Sequence, residues 1–598
     1  LNSVSGLNHP APQSDGTILM TGHTSGDVYM IGSPDLNGAT GLRLEILTHG
    51  DLPFLGPGRN ATGMWQIHSI DVKIKKPDGK DWEDVKLANA SADYSSPETK
   101  SADGKKQYGP VAFLIDSKAD TFWQSDRGIG RRNQPSVAVI AFDQPIIAPE
   151  GTRFKVAIHM GDNVGCCRLS LCKSPSPKSP ACDYAACIAM ADLGQGHTLS
   201  DHPSIFTSWR KSKPELSEIN SQIDAHWEKL PSPQTTVLHL AERPLQLQRP
   251  TYLLDRGEWD RPKTPVKPHV PASLHAMESS DDPPRLAFAR WLVDRRSPLA
   301  ARVAVNRVWQ AIFGEGLVET SEDFGMRAPV PIHLELSDYL AIEFMEKGWS
   351  QKQLIKTILS SQTYQQVSSH RTELQDIDPK NQLLGRGPRF RAEAEQIRDI
   401  ALACAGLLNH KIGGPSIIPP VPQNVISYNY VVPTWNPAAA PERYRRSIYL
   451  FRKRSMPDPV LASLDSPNGD FSCARRMRSN TPLAALTGLN ETIFVEAARA
   501  MALRVLGEGG VTDAERASFA FQLCTSRKPA VPEVAEMESL LRKQRQRISD
   551  GWLNPREIST GDAALLPELP NGATPQDAAA WTLACRVLLN LDETISKN

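Results

Sequence analysis

Short apolar runs recur through the first 175 residues: Leu42 to Leu47, Ile67 to Ile74, Val137 to Phe142 and Phe154 to Ile158. Gly, Pro, Asn and Asp clusters separate them, and strands at such spacing predict an antiparallel β-sandwich over residues 1–175. Residues 176–280 read as a Cys/Pro-rich linker. It opens on Ser-Pro-Ser-Pro-Lys-Ser-Pro at Ser174, holds a helical stretch from Glu215 to Leu230, and ends in an extended segment paced by Pro262, Pro265, Pro268 and Pro271. From Pro283 the rhythm becomes helical. Helices are expected over Arg285–Val293, Leu299–Phe313 with Gly314 as C-terminal cap, Leu334–Glu346, Leu354–Leu359 behind a Ser350/Gln353 capping box, and Arg391–Leu408. The tail from Ala484 is mostly helical. The expected organisation is multidomain α+β: a sandwich (1–175), a linker (176–280), a helical core (281–500) and a C-terminal helical extension (501–598).

Composition narrows the function classes. A chain of 598 residues is too long for one core. Lys+Arg and Asp+Glu are both 67, so no basic excess exists to attract nucleic acid. No apolar run reaches the roughly 18 residues of a membrane helix. The first residue is Leu1, so the chain reads as a processed product or a piece of a larger precursor. Of nine cysteines, Cys166, Cys167, Cys172, Cys182 and Cys187 crowd into one stretch. Paired CxxC spacing for zinc is absent, so at least one disulfide in an oxidising compartment is expected, with free thiols as the alternative. No CxxCH occurs, so this chain carries no haem attachment site.

Three clusters and one loop hold the candidate chemistry. On one helix, Arg302, Asn306, Trp309 and Phe313 share a face, and Asp323 follows as a partner for Arg302. In the second cluster Glu395 and Asp399 are four apart beside Arg391 and Arg398, a pairing that suits acid/base work on a glycosidic bond or a plain salt-bridge lattice. The third is basic: Arg445, Arg446, Arg452, Arg454, Arg475, Arg476 and Arg478, forks that suit carboxylates, sulfates and phosphates. His333 is a candidate proton carrier. The catalytic candidates are therefore Asp323, Glu395, Asp399 and His333, and the substrate-binding candidates Arg302, Asn306, Arg398, Arg446 and Arg476. Walker, GxGxxG, GxSxG and HExxH signatures are missing. The loop from Leu114 to Trp123 resembles the Asp loop of discoidin-like, jelly-roll carbohydrate-binding modules. That resemblance implies a jelly-roll-like sandwich with a structural calcium at Asp116 and Asp120.

A wider resemblance covers most of the second half. RLAFARWLVDRRSPLAARVAVNRVWQAIFGEGLVETSEDFG from Arg285, KIGGPSIIPP from Lys411, ERYRRSIYLFRKR from Glu442, SNTPLAALTGLNE from Ser479 and LNLDET from Leu589 resemble the planctomycete-specific domain one, a domain of unknown function. GLRLEILTHGDLPFLGPGRNATGMW from Gly41 and GTRFKVAIHMGDNVGCCRLSL from Gly151 resemble the region ahead of it. The resemblance implies an exported, periplasmic or secreted protein with a c-type cytochrome module or subunit as partner, found among glycan-degrading enzymes. It assigns no catalytic residue.

Two readings follow. The first is an extracytoplasmic enzyme on polysaccharide, with sulfated chains among the candidates, through glycoside cleavage or cytochrome-linked sugar oxidation. The second is a non-catalytic glycan-binding or scaffold protein. Unpaired burial of so many charges is costly, so Arg302, Asn306, Asp323, Glu395, Arg398 and Asp399 are expected to converge.

Overall fold

The structure is a computed structural model. It describes residues 2–3, 8–22, 27–60, 62–101, 103–124, 126–128, 132–161, 164–193, 198–199, 202–229, 240, 242, 250–278, 280, 282–427 and 434–597. The chain divides into two compact units, the first reaching Lys267 and the second running from Pro268.

The first unit is a sandwich of two sheets. One is ordered Asn8–Pro12, Ile18–Gly22, Cys166–Cys172, Ala39–Ile46, Ser136–Ile146, Leu87–Ala92, antiparallel throughout. The other centres on Val28–Gly32, Arg153–Met160, Gln66–Lys75 and Thr121–Gln124, and one of its pairs, Gln107–Gly109 on Thr121–Gln124, is parallel. The four expected strands are present within these elements. Alternation puts Leu42, Leu44 and Ile46 of one sheet and Val72, Val156 and Ile158 of the other into a shared core. Ile67 and Ile70 both face inward although three apart. A bulge explains this: His159 pairs Ser69 and Met160 pairs Ile67, so His68 is skipped. Trp123 is fully buried, edge-on to Trp65 at 4.6 Å.

All nine cysteines are free thiols in this structure, against the expected disulfide. Cys166 and Cys167 are successive strand residues, so they point to opposite faces. Cys167 enters the sandwich core and Cys166 a small cluster with Leu19 and Leu52. The linker is more structured than its composition suggests. Helices Tyr184–Asp192, Pro203–Lys211 and Ser217–Glu228 lie within it, and Thr251–Leu254 pairs with Pro262–Val266.

The second unit is helical around two cores. In the smaller, Ala300–Phe313 buries Ala301, Val305, Trp309 and Phe313, spaced four apart, against Leu334–Glu346 and Gln351–Leu359. Gly314, at φ 90°, ends the first helix where a side chain would be strained. In the larger, Thr492–Glu508 lies on Pro575–Leu589 through Ala497, Ala498, Ala502, Ala578, Ala580 and Ala584, small residues that permit close approach around Trp581. The boundary expected at 500/501 falls inside Thr492–Glu508, whose two halves serve this one core. Ser596–Lys597 pairs with Phe390–Arg391, and Lys597 Nζ donates to the Ile312 carbonyl at 2.9 Å. Among the described residues no helix is long and apolar enough to cross a membrane.

Candidate functional site: an arginine-lined cleft in the helical unit

The C-terminal end of Ala300–Phe313 opens on a cleft of about 680 Å³. Asn306, almost fully buried, builds one wall by pinning the following loop. Its Oδ1 accepts from Val318 N at 2.8 Å, and its Nδ2 donates to the Val318 carbonyl and Ser321 Oγ, both at 3.2 Å. Gly316 passes so close that an added Cβ would lie 2.6 Å from the Asn306 amide. Trp309 and Phe313 stack at 4.1 Å and line the cleft.

Much of the remaining lining is basic. Lys380, Arg386, Arg389 and Arg391 reach the cleft from one segment, and Arg475, Arg476 and Arg478 from another. Arg391 pairs with Asp465 at 2.6 Å, Arg389 with Asp592 at 2.7 Å and Arg475 with Glu322 at 2.8 Å. Arg478 donates to the Gly314 carbonyl at 3.0 Å and lies 4.4 Å over the Phe390 ring. Burial pushes the Arg478 guanidinium below its ordinary range, with Glu393 opposing. For Arg476 burial is again the largest influence, but Glu395 and Glu393 together outweigh it and raise the group. Among the described residues no carboxylate is ion-paired to Lys380 or Arg386, whose Nη2 finds only the Pro379 carbonyl at 3.4 Å. His333 reaches this cleft and bonds the Gln382 carbonyl at 2.9 Å through Nε2.

The expected convergence does not occur. Arg302 binds Asp338 on the neighbouring helix at 2.6 Å rather than Asp323. Asp323 folds back on its own turn, accepting from Gly325 N at 2.7 Å. Glu395 and Asp399 share a helix face but diverge: Glu395 takes Arg476, while Asp399 accepts from Ser447 N and Oγ, both at 2.8 Å. Arg398 is saturated by the carbonyls of Arg445 at 2.9 Å and Arg443 at 2.6 Å with Ser447 Oγ at 3.2 Å, and Arg446 stands exposed, 3.7 Å from Asp399. Each charge found a nearer partner than the distant ones, so the burial cost that motivated convergence is met locally. Of the candidates the structure brings together His333, Arg476 and its partner Glu395 at the cleft, and, apart from them, Arg398, Asp399 and Arg446 around Ser447, with both arginines 3.7 Å from Asp399. Lys380, Arg386, Arg389 and Arg475 complete the cleft; the basic runs at 386–391 and 475–478 were their signal, but their meeting at one helix end is tertiary.

In the sandwich, Asp116 Oδ1 accepts from Lys118 N at 3.1 Å and Thr121 Oγ1 at 3.0 Å, while Oδ2 is buried with no hydrogen-bond partner. Asp120 is exposed, and its carbonyl accepts from Gln107 N. Among the described residues no three His, Cys, Asp or Glu side chains cluster to hold a metal ion. The side chains of this loop therefore supply a calcium with one unengaged oxygen and no carboxylate cage.

The model of one protein family, described as PSD1, protein of unknown function (DUF1553), matches residues 284–541. No curated protein and no solved structure matches the chain. The family match stops inside helix Val531–Ser549, while the core it shares continues to Leu589. Residues 284–541 of the helical unit are thus similar to the PSD1 (DUF1553) family, and the match does not extend to the rest of the chain.

Proposed function

We propose that this chain is an exported glycan-binding protein, and that the helical unit takes an anionic polysaccharide, such as a sulfated one, in its arginine-lined cleft. The observation that carries the reading is the cleft wall: Lys380 and Arg386 beside Arg389, Arg475 and Arg476. Planar guanidinium forks match sulfate and carboxylate oxygens. Binding is favoured over cleavage at the expected acids because Asp323, Glu395 and Asp399 are each engaged by a donor. Export and a cytochrome partner enter from the sequence resemblance alone. The test is calorimetry of the full chain with sulfated and neutral oligosaccharides of equal length, at about 50 and about 300 mM salt. Selective binding of the sulfated chain, weakened by salt, is expected; equal affinity for both would end the proposal.

Glycoside cleavage is a second reading, supported by a different place. Arg398, Asp458 and Glu491 line a cavity of about 220 Å³, and burial raises the Asp458 carboxyl above its usual range. A carboxyl with raised proton affinity, sharing a cavity with a second acid, is the kind of group that general-acid attack on a glycosidic bond uses.

A further inference from the structure

Helix Tyr184–Asp192 is capped from elsewhere in the chain: Asp93 Oδ2 accepts from Tyr184 N at 3.1 Å. Asp183 stands at its N-cap position, but its own side chain makes no cap bond. The Asp183 carboxylate is held instead by Arg127 at 2.9 Å, which also binds Asp93 at 2.6 Å. Counting from Asp183, Cys182 precedes the cap and Cys187 is the fourth helical residue. Side chains at those two positions pack on each other over the first turn, usually as an apolar pair. Here both are thiols, and Cys182 is close enough to help raise the Cys187 thiol above its ordinary range. Cys182 is exposed and Cys187 partly so, unlike buried Cys166 and Cys167.

We infer that Cys182 and Cys187 form a dithiol modification site, closed to an intramolecular disulfide by a small disulfide oxidant such as oxidised glutathione. The Cys182 thiolate attacks one sulfur of the oxidant, forming a mixed disulfide and releasing one reduced glutathione. The Cys187 sulfur then attacks Cys182 Sγ, and a second reduced glutathione leaves. Two protein thiols are oxidised, one glutathione disulfide is reduced, and each thiol proton ends on a released glutathione. Burial, with the neighbouring Cys182, holds the Cys187 thiol up to about 11, so the exposed partner attacks first. The cross-link adds a covalent tie to a helix start that Asp93 caps and Tyr184 ties to Glu45 of the sandwich.

The full chain, first reduced, is equilibrated with oxidised glutathione, alkylated and digested without reduction. A linked Cys182–Cys187 peptide is expected, about 2 Da below the sum of its reduced parts. The first unfolding transition is expected to rise by roughly 5 °C, reversibly with dithiothreitol. Cys187→Ser removes both effects, and Cys182→Ser, at an exposed position, repeats the loss in a variant whose fold is not at stake. Full alkylation of both thiols after oxidation, or a lasting glutathione adduct on Cys182 with no cross-link, would overturn the inference.

Discussion

Arg476 sets its Nη1 2.6 Å from Glu395 and 3.0 Å from Glu393, one guanidinium between two acids of a single helix start. An acid so engaged is an anchor for the cleft wall rather than a proton donor. Glu395→Gln is therefore expected to leave any turnover unchanged and to tighten binding of a sulfated oligosaccharide about two- to fivefold, as Arg476 gains donors for ligand. Its stability cost is about 1 kcal/mol, since both side chains remain partly wet. Calorimetry and denaturant titration read the two effects; loss of turnover with retained binding would restore Glu395 as catalytic.

Lys380 and Arg386 face the cleft with no ion-pair partner among the described residues, so their removal breaks no salt bridge there. Arg386→Ala, alone or with Lys380→Ala, is expected to weaken sulfated-ligand binding about three- to tenfold per charge at low salt. Neutral-ligand binding and the melting temperature are expected to stay in place, as calorimetry and thermal scans on the same samples would show.

Asn306 carries the loop that shapes the other wall. Asn306→Ala leaves the Val318 amide and carbonyl buried without their partner. A loss of about 2–3 kcal/mol is expected in guanidinium denaturation. An effect below 0.5 kcal/mol, on the same order as a surface change, would mean the loop is held by something else.

In the sandwich, His159 bridges Asp27 at 2.7 Å and Asp71 at 3.0 Å. Burial lowers its proton affinity, but the two carboxylates outweigh that and the histidine is raised. The folded state thus binds the proton more tightly than the unfolded chain. The bridge adds stability below the unfolded histidine range near pH 6.5 and loses it as pH climbs through the raised folded value. The gain is under about 1 kcal/mol because all three groups are partly exposed. Wild type is expected to be more stable at pH 6 than at pH 8, and His159→Gln to flatten that difference, measured by chemical denaturation in matched buffers.

Asp458 caps the short helix Pro459–Ser463, accepting from Val460 N at 2.8 Å and Leu461 N at 3.0 Å. Asparagine caps as well as aspartate, so Asp458→Asn removes the acid while keeping the fold. Any release of reducing sugar by this chain is expected to vanish in that variant while sulfated-glycan binding persists. Turnover that survives Asp458→Asn would exclude the smaller cavity as its seat.

The helices were legible because Ala301, Val305, Trp309 and Phe313 repeat at helical spacing and Gly314 marks the stop. The strands were legible from alternation, except at the bulge, where His68 falls out of register for reasons that lie in its partner strand. The site was less so. Arg475, Arg476 and Arg478 stood out as basic, and Glu395 as acidic, but spacing along a chain does not say which charge meets which. Asp399 sits one turn from Glu395 and still turns to Ser447, because the segment packed beside that turn offered an amide and a hydroxyl.

Phe390 and Arg391, in the middle of the cleft's basic segment, pair with Lys597 and Ser596, and Lys597 reaches the Ile312 carbonyl across 285 residues of chain. A contact of that span forms late, after loop closure has been opposed by chain entropy. The cleft's basic wall is thus completed only when the last strand docks, and a chain emerging from synthesis carries its arginines long before it carries the cleft.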